Sequence, residues 1–325
     1  MIKNICVCIP VYNAESTISE TLKSLVEQDY EIKKIKIFDN QSTDKTTQII
    51  QQFKLKYPII ELIVNEVNVG GEGNFTKCLE ASEGDYTLIA HSDDVYEKEF
   101  ISTSVKALEA HPESVATFCR ASEIDSQGST IGLRYFPQEL DLAEVTSINQ
   151  SVFMKLVFQY ANFITCPSVV ARSSIYRDQI KVWKGGEFKT SADLDVWLRL
   201  SQRGSLLAIK KPLIRYRVAD ASYSYRIAKK RITKHDIFLV LEKYKTPELE
   251  ECYQFLMMKD QAMRSINIMR NFLFSEKFPN EIKISYSLAM RKMFDSFWHF
   301  KVASAIILTG LLISVLNLLG WKRDV

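Results

Sequence analysis

The chain has 325 residues, 46% of them apolar and 25% charged, with a formal net charge of +3. That is long and apolar enough for a sizeable core and about two domains, and a charge so near zero gives no ground for a nucleic-acid partner. The six cysteines (Cys6, Cys8, Cys78, Cys119, Cys166 and Cys252) make no CxxC pair and no Cys/His ligand spacing, which argues against a zinc site and fits a reducing compartment.

In chain order, the first hundred residues alternate strand and helix signals. Ile5–Ile9 reads as a buried strand, with no signal peptide ahead of it. Ser16 to Gln28 follows as a helix with an apolar stripe at Ile18, Leu22, Leu25 and Val26, and Thr17 and Glu20 have the spacing of a capping box. A strand ends at Ile35, Ile37 and Phe38. Then come a helix over Thr43 to Phe53, a strand at Ile60–Val64, a helix over Asn74 to Ala81 and a strand at Tyr86–Ala90. Glu97 to Ala110 is helical and Val115–Cys119 extended. Strands alternating with helices predict an α/β fold with a mixed, mostly parallel sheet covered on both faces.

Ser122 to Ile148 is irregular and reads as a loop over the sheet. Ser151 to Tyr160 and Ala192 to Gln202 are predicted helices, and Leu206–Ile209 and Leu213–Arg217 short strands. From Ile227 to Lys301 the pattern is mainly helical. Val302 to Trp321 carries no charge and is flanked by Phe297, Trp298, Phe300 and Trp321. At about 1.5 Å rise per residue it could just cross a hydrocarbon core of about 30 Å, and a membrane association is expected there, with a buried helix or an oligomer interface as the alternative. The basic groups Lys229, Lys230, Arg231 and Lys234, and Arg291 with Lys292, read as solvated faces.

Ligands of open α/β sheets bind beyond the carboxyl ends of the strands. Four polar clusters follow the first four predicted strands: Pro10 to Glu15, Asp39 to Asp44, Asn65 to Asn74 with glycines 70, 71 and 73, and His91-Ser92-Asp93-Asp94. Each alone could be loop chemistry, since Asp, Asn, Ser and Gly favour turns. There is no GxGxxG and no GxxxxGK[ST], so a dinucleotide fold and a P-loop are excluded.

The segments IPVYNAESTI, FDNQSTD, NVGGEGN and EGDYTLIAHSDD resemble, in order and spacing over residues 4 to 100, the family 2 glycosyltransferases of the GT-A fold. A weaker match returns at residues 162 to 224. The resemblance implies a catalytic domain over 1–224, with a nucleotide-binding half over 1–120 and an acceptor half over 121–224. A helical extension over 225–301 and the apolar helix over 302–321 follow. It implies an inverting transfer of a sugar from a UDP-sugar, or another nucleoside diphosphate sugar, to an acceptor hydroxyl on a saccharide or lipid-linked chain. The setting would be cell-surface polysaccharide synthesis at the cytoplasmic face of the membrane, and homo-oligomerisation stays open.

By the same resemblance Asp39 contacts the nucleobase and ribose. Pro10, Tyr12, Asn13, Glu15, Asn68, Gly71, Asn74 and Ser92 line the donor, and Asp93, with Asp94, holds Mg²⁺ or Mn²⁺ against the diphosphate. The first acidic place of the DxD motif is His91. The stretch from Ser191 to Leu200 resembles the segment in which an Asp acts as general base, which maps to Asp193, with Ala192 in place of a Glu. Asp195, turned about 200° away on a helix, reads as structural, and Trp197 as core. Tyr216-Arg217, with Ser222 and Ser224, resembles a diphosphate-proximal segment whose His is here Ala219; Arg217 would clamp the diphosphate. A nucleotidyltransferase would need a basic Gly-rich loop after the first strand, which this chain lacks. A catalytically weak, membrane-associated scaffold of the same fold is the rival reading.

Overall fold

The computed structural model describes residues 3–218, 231–272, 286–294 and 297–318. The chain divides into two compact units: Met1–Leu156 with Asn162–Ala219, and Val157–Ala161 with Asp220–Val325.

The first unit is built on a ten-stranded sheet in the order β3-β2-β1-β4-β9-β6-β10-β5, with β7 beside β6 and β8 beside β10. The strands are β1 (Ile5–Val11), β2 (Ile32–Asp39), β3 (Ile60–Val64), β4 (Tyr86–Ile89), β5 (Val95–Tyr96), β6 (Ser114–Ile124), β7 (Thr130–Leu133), β8 (Val145–Ile148), β9 (Val170–Arg172) and β10 (Ser205–Arg217). β1 to β4 run parallel, as do β6 and β10, while β9, β5, β7 and β8 pair antiparallel. Helices α1 (Ile18–Val26), α2 (Thr46–Lys56), α3 (Gly70–Glu80), α4 (Phe100–Ala110), α5 (Gln150–Tyr160), the single turn α6 (Gly185–Phe188) and α7 (Ala192–Ser201) accompany it. Ile5, Val7 and Ile9 of β1, with Ile35, Ile37 and Leu88, are wholly buried against the stripe Ile18, Leu22 and Leu25 and against Phe100 and Leu108. Central parallel strands covered on both faces need such near-continuous apolar runs.

Several boundaries differ from the sequence expectation, for physical reasons. β1 runs on to Val11, so Pro10 sits inside a central strand and not in the following loop. It is tolerated because β4 pairs with β1 only through Cys8, so no ladder bond is lost there. The capping box at Thr17 does not form: Thr17 Oγ1 donates to the Ser92 carbonyl at 3.0 Å, and Glu20 is taken by Arg217. α3 starts at Gly70, four residues early, because Gly70 adopts φ +72°, a turn L-residues resist. Gly71 has no such need, and a Cβ on it would meet nothing within 4 Å.

The stretch read as a loop, 122–148, holds the end of β6, β7 and β8. The two expected strands near 206–217 are one strand, β10, whose register against β6 shifts on both sides of Pro212. β5 and β9 are too short to leave an alternation in the sequence.

The second unit, as far as it is described, is helical: Ile237–Tyr244, Glu250–Phe272, Tyr286–Lys292 and Phe297–Leu318. Phe255, Met258, Ala262, Ala289, Ala303 and Ile306 form its core. The expected apolar helix is present as Phe297–Leu318, but among the described residues no helix is long and apolar enough to cross a membrane. The crossing that the length of 302–321 would allow therefore finds no support among its described residues, 302–318. One face of that helix, Leu308, Leu311, Leu312 and Val315, is exposed. Ala219, Ser222, Ser224, Lys229, Lys230, the Trp298 side chain and Trp321 lie outside the described residues.

Candidate active site

The carboxyl ends of β1 to β4 share one rim, and the four polar loops converge there. Most of their side chains are spent on each other. Asn13, itself at φ +50°, accepts the Thr43 N–H on Oδ1 at 2.8 Å, and its own N–H goes to Ser42 Oγ at 2.9 Å. Glu15 Oε2 accepts the Lys45 N–H at 2.9 Å, and Asp44 takes the N–H groups of Glu15 and Thr46. These bonds fasten the loop after β1 to the loop after β2.

A second mesh is made of asparagines. Asn40 donates to Asn68 Oδ1 at 2.9 Å. Asn65 donates to Asn40 and to Asn74, both at 3.0 Å, and Asn74 donates to the Phe38 carbonyl at 2.8 Å. Asn13, Glu15, Asn68 and Asn74, expected as donor ligands, therefore hold the rim together. An amide serves well because it both donates and accepts.

A few polar atoms remain uncommitted. Asp39 closes β2, is fully buried, and uses Oδ2 to accept the Ser42 N–H at 3.1 Å, while its buried Oδ1 has no partner. Tyr12, following the Val11 that pairs with Asp39 in register, stands 50% exposed. In the loop between β4 and β5, Asp94 is fully buried; Oδ1 accepts the Arg217 N–H at 2.8 Å, and Oδ2 has no partner. Burial, and then the charge of Asp93 beside it, push the Asp94 carboxyl well above the usual carboxylate range. His91 Nδ1 lies 3.7 Å from Asp94 Oδ2, too far for a hydrogen bond, and its Nε2 is buried and unpaired. Burial lowers the imidazole's pKa, against the pull of the Asp93 charge. Ligand atoms of His91, Asp93 and Asp94 lie within 4.8 Å of one another. A buried, unpaired carboxyl oxygen fits a divalent cation, and the donor set fits Mn²⁺ or Mg²⁺.

Arg217 is not free to grip a diphosphate. It is 5% exposed, and its guanidinium donates to the carbonyls of Asp93 at 2.9 Å, Asp125 at 3.0 Å and Ser126 at 3.2 Å, and to the carboxylate of Glu20. It braces the His91–Asp94 loop against the β6–β7 turn and α1.

Asp193 opens α7. Its Oδ2 accepts Asn162 Nδ2 at 2.8 Å and its Oδ1 the Leu194 N–H at 2.8 Å. Burial raises its pKa to about 6 against the pull of those N–H groups and of Arg134. Asp195 is fully buried and paired with Arg199 Nε at 2.7 Å; Arg199 also reaches the Ile180 and Val182 carbonyls, so this pair anchors α7. Trp197 is core, 3% exposed.

The Asp94 and Asp193 carboxyls act on common neighbours. The partly exposed Cys166 thiol is pushed up by burial and by the charges of both Asp193 and Asp94, and Arg134 lowers both Asp94 and Asp193. Arg134 follows β7, lies 4.6 Å over the Tyr216 ring and reaches Glu123 Oε1 at 3.4 Å. Phe75 stacks on Trp183 at 4.3 Å and meets His91 edge-on at 5.5 Å. Sequence reasoning missed Asn162, Arg134 and Cys166 as site residues. Asn162 and Cys166 lie 31 and 27 positions from Asp193, and Arg134 sits in the stretch read as a loop.

Among known proteins, a family model described as Glycosyl transferase family 2 matches residues 6–175, just over half of the chain. The poly(ribitol-phosphate) beta-glucosyltransferase of Bacillus spizizenii is 42% identical over 96 residues, 28% of this chain and 15% of that one. The poly(ribitol-phosphate) beta-N-acetylglucosaminyltransferase TarS of Staphylococcus aureus is 27% identical over 195 residues, 58% of this chain and 30% of that enzyme. The chain thus matches well under half the length of either relative. The crystal structure of S. aureus TarS 1–349 in complex with UDP-GlcNAc superposes with a TM-score of 0.57 at 16% identity, covering 99% of this chain and 94% of that one, which shows a common fold.

Proposed function

This chain belongs to glycosyl transferase family 2, and on that premise we propose that it transfers a sugar from a UDP-sugar to an acceptor hydroxyl with inversion. The observation that carries the reading is Asp193 at the start of α7, held by Asn162 and the Leu194 N–H and raised by burial to about 6, whose charge, with that of Asp94, acts on Cys166. A carboxylate with that pKa is ionised at neutral pH yet more basic than an exposed one, which suits a general base. Asp193 takes the proton of the acceptor hydroxyl as its oxygen bonds to the anomeric carbon. The bond from that carbon to the diphosphate oxygen breaks, and the nucleoside diphosphate leaves. One displacement inverts the anomeric centre, through a transition state of oxocarbenium character.

The unpaired Asp39 Oδ1 is placed to accept from a uracil imide or a ribose hydroxyl, and Tyr12 gives the base a ring to lie on. Asp93 and Asp94 would hold Mg²⁺ or Mn²⁺, which neutralises the leaving diphosphate when bound.

The relatives' names support a UDP-sugar donor and a cell-surface polyol-phosphate or polysaccharide acceptor. The six free cysteines support a catalytic domain on the cytoplasmic side. The exposed face Leu308, Leu311, Leu312 and Val315 supports contact with the membrane surface without a span. The test is UDP release from a panel of UDP-sugars with Mn²⁺, with NMR of the anomeric proton of the product. Sugar-dependent UDP release and an inverted anomer are expected. UDP bound without turnover of any sugar in the presence of acceptor would favour the scaffold reading.

A further inference from the structure

We propose that His91 supplies a nitrogen ligand to the divalent cation held by Asp93 and Asp94, so that this site prefers Mn²⁺ or Co²⁺ to Mg²⁺. The inference rests on the donor-site reading above and concerns which ion that site selects. His91 occupies the place from which a carboxylate would otherwise come, and its ring is held in position. The His91 backbone N–H donates to Tyr96 Oη at 3.2 Å, and the Phe75 ring packs edge-on against the imidazole with centroids 5.5 Å apart. Two donors each about 2.1 Å from one ion lie about 3 Å apart when cis and about 4.2 Å apart when trans. The 3.7 Å between His91 Nδ1 and Asp94 Oδ2 falls between those limits, and the donor atoms of all three residues lie within 4.8 Å.

Asp94 Oδ2 is buried and without a hydrogen-bond partner, and so is the other ring nitrogen of His91, Nε2, so no protein hydrogen bond holds either of them away from an ion. Mg²⁺ is hard and favours an all-oxygen shell, whereas affinity for an imidazole rises along the first-row series from Mn²⁺ through Co²⁺. One nitrogen among oxygens therefore moves preference away from Mg²⁺.

Electron spin-echo modulation of Mn²⁺ bound with UDP tests this without reference to turnover. Modulation from a directly coordinated ¹⁴N is expected, changing to that of ¹⁵N when the protein is labelled at histidine. In His91→Asp the nitrogen signal should vanish, UDP binding should persist, and the ratio of Mn²⁺ to Mg²⁺ affinity should fall about tenfold or more, the scale on which a changed ligand alters metal affinity. UDP-dependent Mn²⁺ binding with no nitrogen modulation in the unaltered protein overturns the inference and leaves the transferase reading standing. No UDP-dependent Mn²⁺ binding at all overturns both.

Discussion

The rim after β1 to β4 and the wall at the start of α7 are both polar, but they are built in opposite ways. The rim holds many side chains that bind one another. Asn13, Glu15, Asn40, Asn65, Asn68 and Asn74 spend their amides and carboxylates on neighbouring loops, leaving Asp39 Oδ1, Asp94 Oδ2 and His91 Nε2 uncommitted. The α7 wall holds one carboxylate, Asp193, half-buried and kept reactive by desolvation, with Asn162 and Leu194 as its partners. Pre-arranged dipoles can grip a charged donor at small reorganisation cost; a base must keep its lone pair available. A residue's polarity at the rim is therefore weak evidence of ligand contact, whereas its unpaired atoms are strong evidence.

The sharpest way to break this contrast is Asp193→Asn. It keeps the shape of the side chain and removes the base. We expect kcat to fall by about 10²–10⁴, the usual contribution of a positioned general base, while UDP affinity by titration calorimetry stays near that of the unaltered protein. A kcat within a few-fold would move the base elsewhere.

Arg217→Ala separates brace from clamp. Its loss strands the carbonyls of Asp93, Asp125 and Ser126 and the carboxylate of Glu20. Stability in urea is expected to drop by about 2–4 kcal/mol, discounted because Glu20 is half exposed. Unchanged stability with donor affinity alone lost would restore Arg217 as a diphosphate clamp.

The same contrast explains what the sequence revealed. The β1–β4 rhythm was legible because each buried strand is a continuous apolar run followed at once by its polar loop, so strand order in the chain maps onto positions along one rim. Asp39, Asp93 and Asp94 could be picked out that way. What binds each polar residue there was not legible: Asn68 and Asn74 belong to a network that joins three separate loops. The partners of Arg217 were hidden likewise, lying on α1 and the β6–β7 turn. The α7 wall was legible only at Asp193, since Asn162, Cys166 and Arg134 reach it through tertiary packing. The strands β5 and β9 were too short to register, and β10 was split by Pro212, which breaks the pattern without breaking the strand.

The smallest expected effect tests the wall itself. Asp193 must be ionised to accept a proton, so kcat/KM should fall tenfold per unit as pH drops below about 6, its folded-state value. Asn162 Nδ2 donates to Oδ2 and so stabilises the ionised form, holding the pKa down against burial. In Asn162→Ala that donor is gone and the carboxylate's pKa rises. A net hydrogen bond of about 1 kcal/mol corresponds to about 0.7 of a pH unit, so the acid limb should move up by that amount. At pH 8 the variant would be nearly as fast as its parent, and at pH 6 several-fold slower. Buffer-controlled initial rates from pH 5 to 8.5 resolve such a shift. A limb that stays put, or moves down, would mean that some group other than Asp193 takes the acceptor's proton, whatever Asp193→Asn does to the rate.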